Sequence, residues 1–173
     1  HHLARVVRLR NGDPLTVSDG QGRWRPCRFG DDLVPTGPVE EVPAPEPPIT
    51  VGFALAKGDR PERIVRMLTE AGVDDIRPFA AARSVVRWDD AKARAATERL
   101  RRVAREASMQ CRRCHLPTVH EPVSFATVAA LPGATLAERG GEPVSVARPV
   151  VLVGPEGGWA PEELAAGLPC VDL

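Results

Sequence analysis

The residues best suited to do chemistry lie near the end of the chain, in Val150-Val-Leu-Val-Gly-Pro-Glu-Gly-Gly-Trp-Ala-Pro-Glu-Glu-Leu164. Gly154, Pro155, Glu156, Gly157 and Gly158 put three glycines and a proline around one carboxylate. They stand between an apolar run and a Pro-Glu-Glu that opens a helix. Glycines at such a junction let a ligand reach the backbone and use its N–H and C=O groups as fixed donors and acceptors. The pattern is neither a phosphate loop, which carries Gly-Lys-Ser/Thr, nor the Gly-x-Gly-x-x-Gly of dinucleotide sites. On chemistry alone a ligand loop and a tight strand-to-helix turn are both open. Glu156 fits equally as an acid/base or polar clamp and as a cap on the following helix.

A second candidate is Cys111-Arg-Arg-Cys-His115, followed by His120. It matches a haem-attachment pattern and half of a zinc site. Haem attachment requires an exported chain, and zinc requires a fourth ligand at convincing spacing. Cys27 and Cys170 are isolated, so neither a metal nor a haem is expected. The four cysteines lack the pairing pattern of secreted domains, and a reducing cytoplasm is the expected location. No apolar run reaches the ~20 residues of a membrane span.

Charge is the third signal. Lys+Arg and Asp+Glu balance at 23 each, yet the distribution is uneven. Arginines 5, 8, 10, 23, 25 and 28 crowd the first thirty residues, and eight basic residues lie between Lys92 and Arg113. Acidic residues gather between Asp31 and Glu46. Two basic blocks in a neutral protein suit a polyanion, although such helices are also commonly just solvated.

These residues need elements to hold them. The chain has 173 residues, 43% hydrophobic and 27% charged, enough for one domain or a small domain attached to a medium one. Short alternating runs separated by Asn11-Gly-Asp-Pro14 and Asp19-Gly-Gln-Gly22 predict a small antiparallel β-unit over residues 1–34. Six prolines and three glutamates between Pro35 and Pro48 predict a semi-rigid linker. From Ile49 onward strands and helices alternate: an apolar strand at Ile49–Ala56, a helix from Pro61 to Gly72, short strands at Asp75–Ala81 and Ser84–Trp88, and a long helix over Asp90–Gln110. The expectation is an α/β domain over residues 49–173 with a mainly parallel sheet covered on both faces. In such sheets ligands sit beyond the carboxyl ends of the strands, where the glycine loop belongs.

The loop, read with the blocks that precede it, resembles a known family. Leu152–Leu164 is similar to the signature loop of the bacterial small-subunit rRNA uridine-N3 methyltransferases, of the SPOUT class of knotted methyltransferases. His1–Gly22 resembles that family's opening. Lys57–Trp88 resembles its central block, with Lys57, Glu70, Gly72, Pro78, Arg83 and Ser84 at matching positions. Glu98–Val119 resembles a third block, in which either Arg112 or Arg113 corresponds to the family's arginine, because Cys-Arg-Arg-Cys-His replaces a Gly/Ser-rich wording. The match spans nearly the whole chain.

The resemblance implies a PUA-like RNA-binding β-barrel followed by a SPOUT domain with a C-terminal trefoil knot. It also implies a tail beyond Leu173 that closes over the cofactor, while the β-unit, too short to bury a core alone, is expected to begin before His1. Bent S-adenosylmethionine would contact Ala137, Glu138, Val153, Gly154, Pro155, Glu156, Gly157 and Gly158. Arg83, Arg113 and Glu156 are the implied catalytic candidates. Arg5, Arg8, Arg23, Arg25, Lys57, Arg83, Arg112 and Arg113 would face phosphates of 16S rRNA in the small ribosomal subunit. The implied assembly is a homodimer. A non-catalytic RNA-binding module with a vestigial pocket is the alternative.

Overall fold

The structure, a computed structural model, describes residues 8–173. Arg5, an expected phosphate contact, lies outside the described residues. The chain divides after Ala44 into two compact units.

In the first unit, β1 (Pro14–Ser18) pairs antiparallel with β2 (Arg23–Arg28), from Pro14 opposite Arg28 to Ser18 opposite Trp24. The turn between them is closed by Asp19, whose carboxylate accepts from the N–H of Gln21 at 2.7 Å and of Arg23 at 3.1 Å. Gly20 and Gly22 take φ of +74° and +97°, which side chains other than glycine adopt at a cost. The Gln21 N–H, and after it the Arg23 guanidinium, hold the Asp19 carboxyl below its ordinary pKa.

The proline-rich segment differs from the linker expected of it. Val34–Pro35 (β3) and Glu40–Glu41 (β4) both pair antiparallel with β2, so the small sheet extends into residues 35–41. Prolines are tolerated there because these are two-residue edge strands with few ladder bonds to lose.

The second unit is built on a parallel sheet. Its strands are β5 (Thr50–Ala54), β6 (Asp75–Ala80), β7 (Thr118–Val119), β8 (Val123–Ser124), β9 (Ala134–Pro143), β10 (Val150–Val153) and β11 (Cys170–Asp172). They lie in the order β11-β9-β10-β5-β6-β7, with β8 also on β6. The chain first moves outward from β5 to β7 and β8, then crosses to β9. It returns with β10 between β9 and β5, and crosses again to place β11 beyond β9.

Alternate residues of one strand face opposite sides, and the core follows that rule. Phe53, Ile76 and Val119 join Val65 of α1 (Arg60–Glu70) and Leu100 and Ala104 of α2 (Asp90–Cys111) in one cluster. Ala54, Phe79, Leu136 and Leu152 join Val128 of α3 (Phe125–Ala129) and Trp159 in another. Pro61 stands in the first turn of α1, and Gly72, at φ +93°, turns the chain after it.

Ser84–Trp88, expected as a strand, is instead a loop. The Ser84 hydroxyl accepts from Ala81 N–H at 3.1 Å and the Ser84 N–H donates to Ala81 C=O at 3.0 Å, which closes a turn immediately after β6. From there α2 runs back antiparallel to β6. Its N-cap, Asp89, follows the carboxyl end of β6, and Arg113, just past its last turn, bonds to Asp74 at the beginning of β6.

Candidate active site at the carboxyl ends of the sheet

Three segments meet at one edge of the second unit: the carboxyl ends of β6 and β10 and the middle of β9. The residue that joins two of them is Trp159. Its ring is 4% exposed, stacks parallel on Phe79 with centroids 6.1 Å apart, and tilts against Phe125 at 5.6 Å. Its indole N–H donates to Ala137 C=O at 3.0 Å, tying the β10 loop to the middle of β9. Burying a tryptophan with its one donor satisfied makes it a rigid anchor. This explains Gly154. A Cβ there would lie 2.9 Å from the indole ring, so only glycine lets the ring close over the strand exit.

The third segment, the end of β6, is joined by Glu163, in the first turn of α4 (Pro161–Leu164) and 3% exposed. One of its oxygens accepts from Ala160 N–H at 2.9 Å, the other from Ala82 N–H at 2.8 Å. A single buried carboxylate thus caps α4 and pins the loop after β6. That contact sets Arg83, whose guanidinium donates to Gly157 C=O at 2.9 Å. Arg83 is exposed, so a cation stands at the open face of the glycine loop.

Glu156 is exposed and ion-paired with Arg60, at the start of α1. The helix-capping role considered for it belongs to Glu163. Gly158 takes φ +72° and is required by the backbone. Gly157 is different: its φ is not in the left-handed range, and a Cβ would meet only Arg83 carbon atoms at 3.8 and 3.9 Å. Neither strain nor crowding explains a glycine there. Pro155 precedes these residues and Val153 ends β10, both half-buried; Ala137 is half-buried and Glu138 exposed along β9.

Arg83, Glu156 and the glycines are therefore brought together, and Arg113 is not. Arg113 donates to Val73 C=O at 2.7 Å and Thr69 C=O at 3.3 Å, and pairs with Asp74 at 2.5 Å, its side chain 12% exposed. It locks the end of α1 to the start of β6, a full strand length from Arg83. Its guanidinium donors are used within the fold, which corrects the expectation that Arg113 serves as the cation of this site.

Arg25 is likewise committed, donating to Gly37 C=O at 2.9 Å inside the small unit. Arg23 pairs with Asp19 at 2.7 Å, with most of its side chain exposed. Arg8, Lys57 and Arg112 are exposed, and Arg112 adopts φ +56° as the left-handed C-cap of α2. The cysteine motif is that helix end: Cys111 Sγ donates to Ser108 C=O, and His120 bonds to Asp75 at 2.7 Å. Among the described residues no group of three His, Cys, Asp or Glu side chains could hold a metal.

Trp159, Glu163 and Arg60 were not singled out by sequence reasoning. For Glu163 a signal existed, a glutamate at the third position of a helix that begins with proline. Trp159 and Arg60 are recognised only by what they touch in three dimensions.

Comparison with known proteins agrees with this architecture. A family model for the RNA methyltransferase domain matches residues 43–168, and one for the RNA methyltransferase PUA domain matches residues 1–32. Ribosomal RNA small subunit methyltransferase E of Mycobacterium bovis is 34% identical over 185 aligned positions, covering 95% of this chain and 71% of that protein. A probable rRNA-methyltransferase from Porphyromonas gingivalis superimposes with a TM-score of 0.74 at 27% identity, covering 99% of this chain and 80% of the other. Ribosomal RNA small subunit methyltransferase E from Neisseria gonorrhoeae, solved bound to S-adenosyl methionine, gives a TM-score of 0.77 at 24% identity, covering 98% and 78%. With an RNA methyltransferase domain over most of its length, a PUA domain before it and a relative of this identity, the chain belongs to the ribosomal RNA small subunit methyltransferase E family.

Proposed function

We propose that this chain binds S-adenosylmethionine on the Gly154–Gly158 loop and methylates N3 of a uridine in 16S rRNA. The observation that carries the reading is the junction of Arg83 with Gly157, which brings a permanent cation to a glycine the fold does not need. The site fits the cofactor. Open backbone at Gly157 admits close approach, and the middle of β9 and the exit of β10 present main-chain groups for a polar, bent ligand. Bound there, S-adenosylmethionine supplies a methyl group on an electrophilic sulfonium.

Displacement at that methyl needs an in-line nucleophile, and positioning provides much of the rate. Uracil N3 is protonated at neutral pH and must lose its proton to attack. Arg83 stabilises the negative charge that develops on the uracil oxygens, acting as a preorganised donor. Glu156 takes the N3 proton or orients the base, with Arg60 holding it clear of α4. Trp159 and Glu163 are positioning residues that keep the three segments in register.

The first unit, as a PUA-like domain, holds the rRNA through Arg5, Arg8 and Arg23, with Lys57 and Arg112 on the second unit. The same reading includes a C-terminal trefoil knot, supported by the double crossing that inserts β10 between β9 and β5. It also includes a homodimer acting on the small ribosomal subunit in the cytoplasm. Calorimetry with S-adenosylmethionine tests the first step. The parent chain binds, and Gly157→Val loses at least ten-fold in affinity while its circular dichroism and melting are unchanged. Equal affinity in the folded variant removes the loop from the cofactor site.

A further inference from the structure

The long helix α2 carries a basic row of which only the last residue, Arg112, has been given a role above. At 100° per residue, Arg94, Arg101 and Arg105 fall within about 40° of one another around the helix axis, and the C-cap Arg112 lies beyond them, roughly 27 Å from Arg94 along the helix. All four are exposed. Two neighbouring arginines, one midway along α2 and one just past its end, differ in kind. Arg99 pairs with Glu62 of α1 at 2.5 Å, and Arg113 is buried in its bonds to Thr69, Val73 and Asp74.

Among the described residues, Arg94, Arg105 and Arg112 have no carboxylate partner. Two acids, Asp90 and Glu98, stand beside the row: Glu98 is taken by Arg101 at 2.8 Å, and Asp90, in the first turn of α2, forms no ion pair with Arg94. Arg101 also donates to Val119 C=O at 3.0 Å, so it seals the outer edge of β7. Next to it a cavity of about 200 Å³ opens between α2 and β7, lined by Arg101, Arg105, Leu116, Pro117 and Thr118. A guanidinium without a partner at the mouth of a cavity with an apolar wall matches a phosphodiester with its sugar or base turned inward.

The row also begins in the right place. Asp89, the N-cap of α2, lies six residues beyond Arg83, so the helix starts within about 22 Å of Arg83, whose guanidinium bonds to the glycine loop. From there it leads away along the flank of the sheet. We infer that Arg94, Arg105 and Arg112, with the cavity beside Arg101, form an RNA-backbone track that carries a single strand of the substrate away from the methylation site.

This rests on the reading of the chain as an RNA methyltransferase, and one experiment separates the two. Binding of a small-subunit rRNA fragment is measured against salt for the parent, for Arg94→Gln with Arg105→Gln, and for Arg99→Gln. The double variant is expected to flatten the slope of log K against log salt by about 1.4 if each arginine contacts one phosphate of a single strand. Cofactor affinity and the single-turnover rate at saturating RNA stay at parent values, and Arg99→Gln keeps the parent slope. An unchanged slope in the double variant, or an equal loss in Arg99→Gln, overturns the track. A parent that binds RNA with the full slope but transfers no methyl group to it overturns the functional reading and leaves the track standing.

Discussion

Arginines of one sequence divide by what surrounds them, and the division predicts different failures. Arg83 meets the glycine loop with one bond and is otherwise open, so Arg83→Ala is expected to fold normally. Its single-turnover rate should fall about 10²–10³-fold, the usual cost of losing one preorganised donor to a developing anion. The deficit should shrink as pH rises, because uracil N3 then deprotonates without help; a deficit constant with pH would assign Arg83 to holding RNA. Arg113 is the opposite case. Arg113→Ala leaves Oδ1 of Asp74 and the Val73 C=O without their donor, while Oδ2 of Asp74 keeps the Ile49 N–H, and should cost about 3 kcal/mol of stability, read by denaturant unfolding. Its single-turnover rate, measured well below the melting temperature, should stay near the parent value.

Asp19 gives a pH signature at the same scale. Its folded pKa is depressed, by the Gln21 N–H first and then by Arg23, so its contribution is complete above the ordinary carboxylate range. It is lost as pH falls through the depressed value. Melting of parent and Asp19→Asn should therefore differ at neutral pH and converge in acid; a gap that persists at low pH would contradict the assignment.

Among the elements, the strand-to-helix junction after β10 carries most of the site's precision. Gly154→Ala places a Cβ against the Trp159 ring and should destabilise by about 1–3 kcal/mol, as overpacking usually does. The Gly157→Val variant described above keeps the fold, so two glycines three residues apart separate architecture from ligand binding. Glu163→Ala orphans the buried N–H of Ala160, which should cost about 1–3 kcal/mol, and releases the N–H of exposed Ala82 to water. Because Ala82 adjoins Arg83, the same change should also slow methyl transfer at temperatures where the protein remains folded.

Much of this level was legible in the chain. The apolar run of β5, the Pro-to-Gly limits of α1, and the length and apolar face of α2 follow from periodicity and punctuation. Ser84–Trp88 misled because its two valines and tryptophan look like strand residues, while the Ser84 turn that bends it depends on Ala81. Pro35–Pro48 misled because proline content argues against a central strand but says little about a two-residue edge. The glycine loop stood out by type. What lay beyond sequence reasoning was which cation reaches it, since Arg83 and Arg113 differ only in the end of β6 where the fold leaves them.

The whole molecule joins a small antiparallel unit, matched by an RNA methyltransferase PUA model, to a parallel α/β unit matched by an RNA methyltransferase domain model; the proposed function has both hold RNA and the second hold the cofactor. Near-zero net charge hides this division, because acidic residues of residues 31–46 offset the arginines around them. The proposed reaction places a methyl group on one atom of one base, and nucleoside mass spectrometry reads that atom. The chain is incubated with S-adenosylmethionine and small ribosomal subunits whose rRNA lacks the modification, and the rRNA is digested to nucleosides. The account predicts 3-methyluridine, formed by the parent chain and strongly reduced with Arg83→Ala. Methyl groups on ribose, on carbon 5 of uracil or on another base, or cofactor binding with no methylated nucleoside at all, would contradict it.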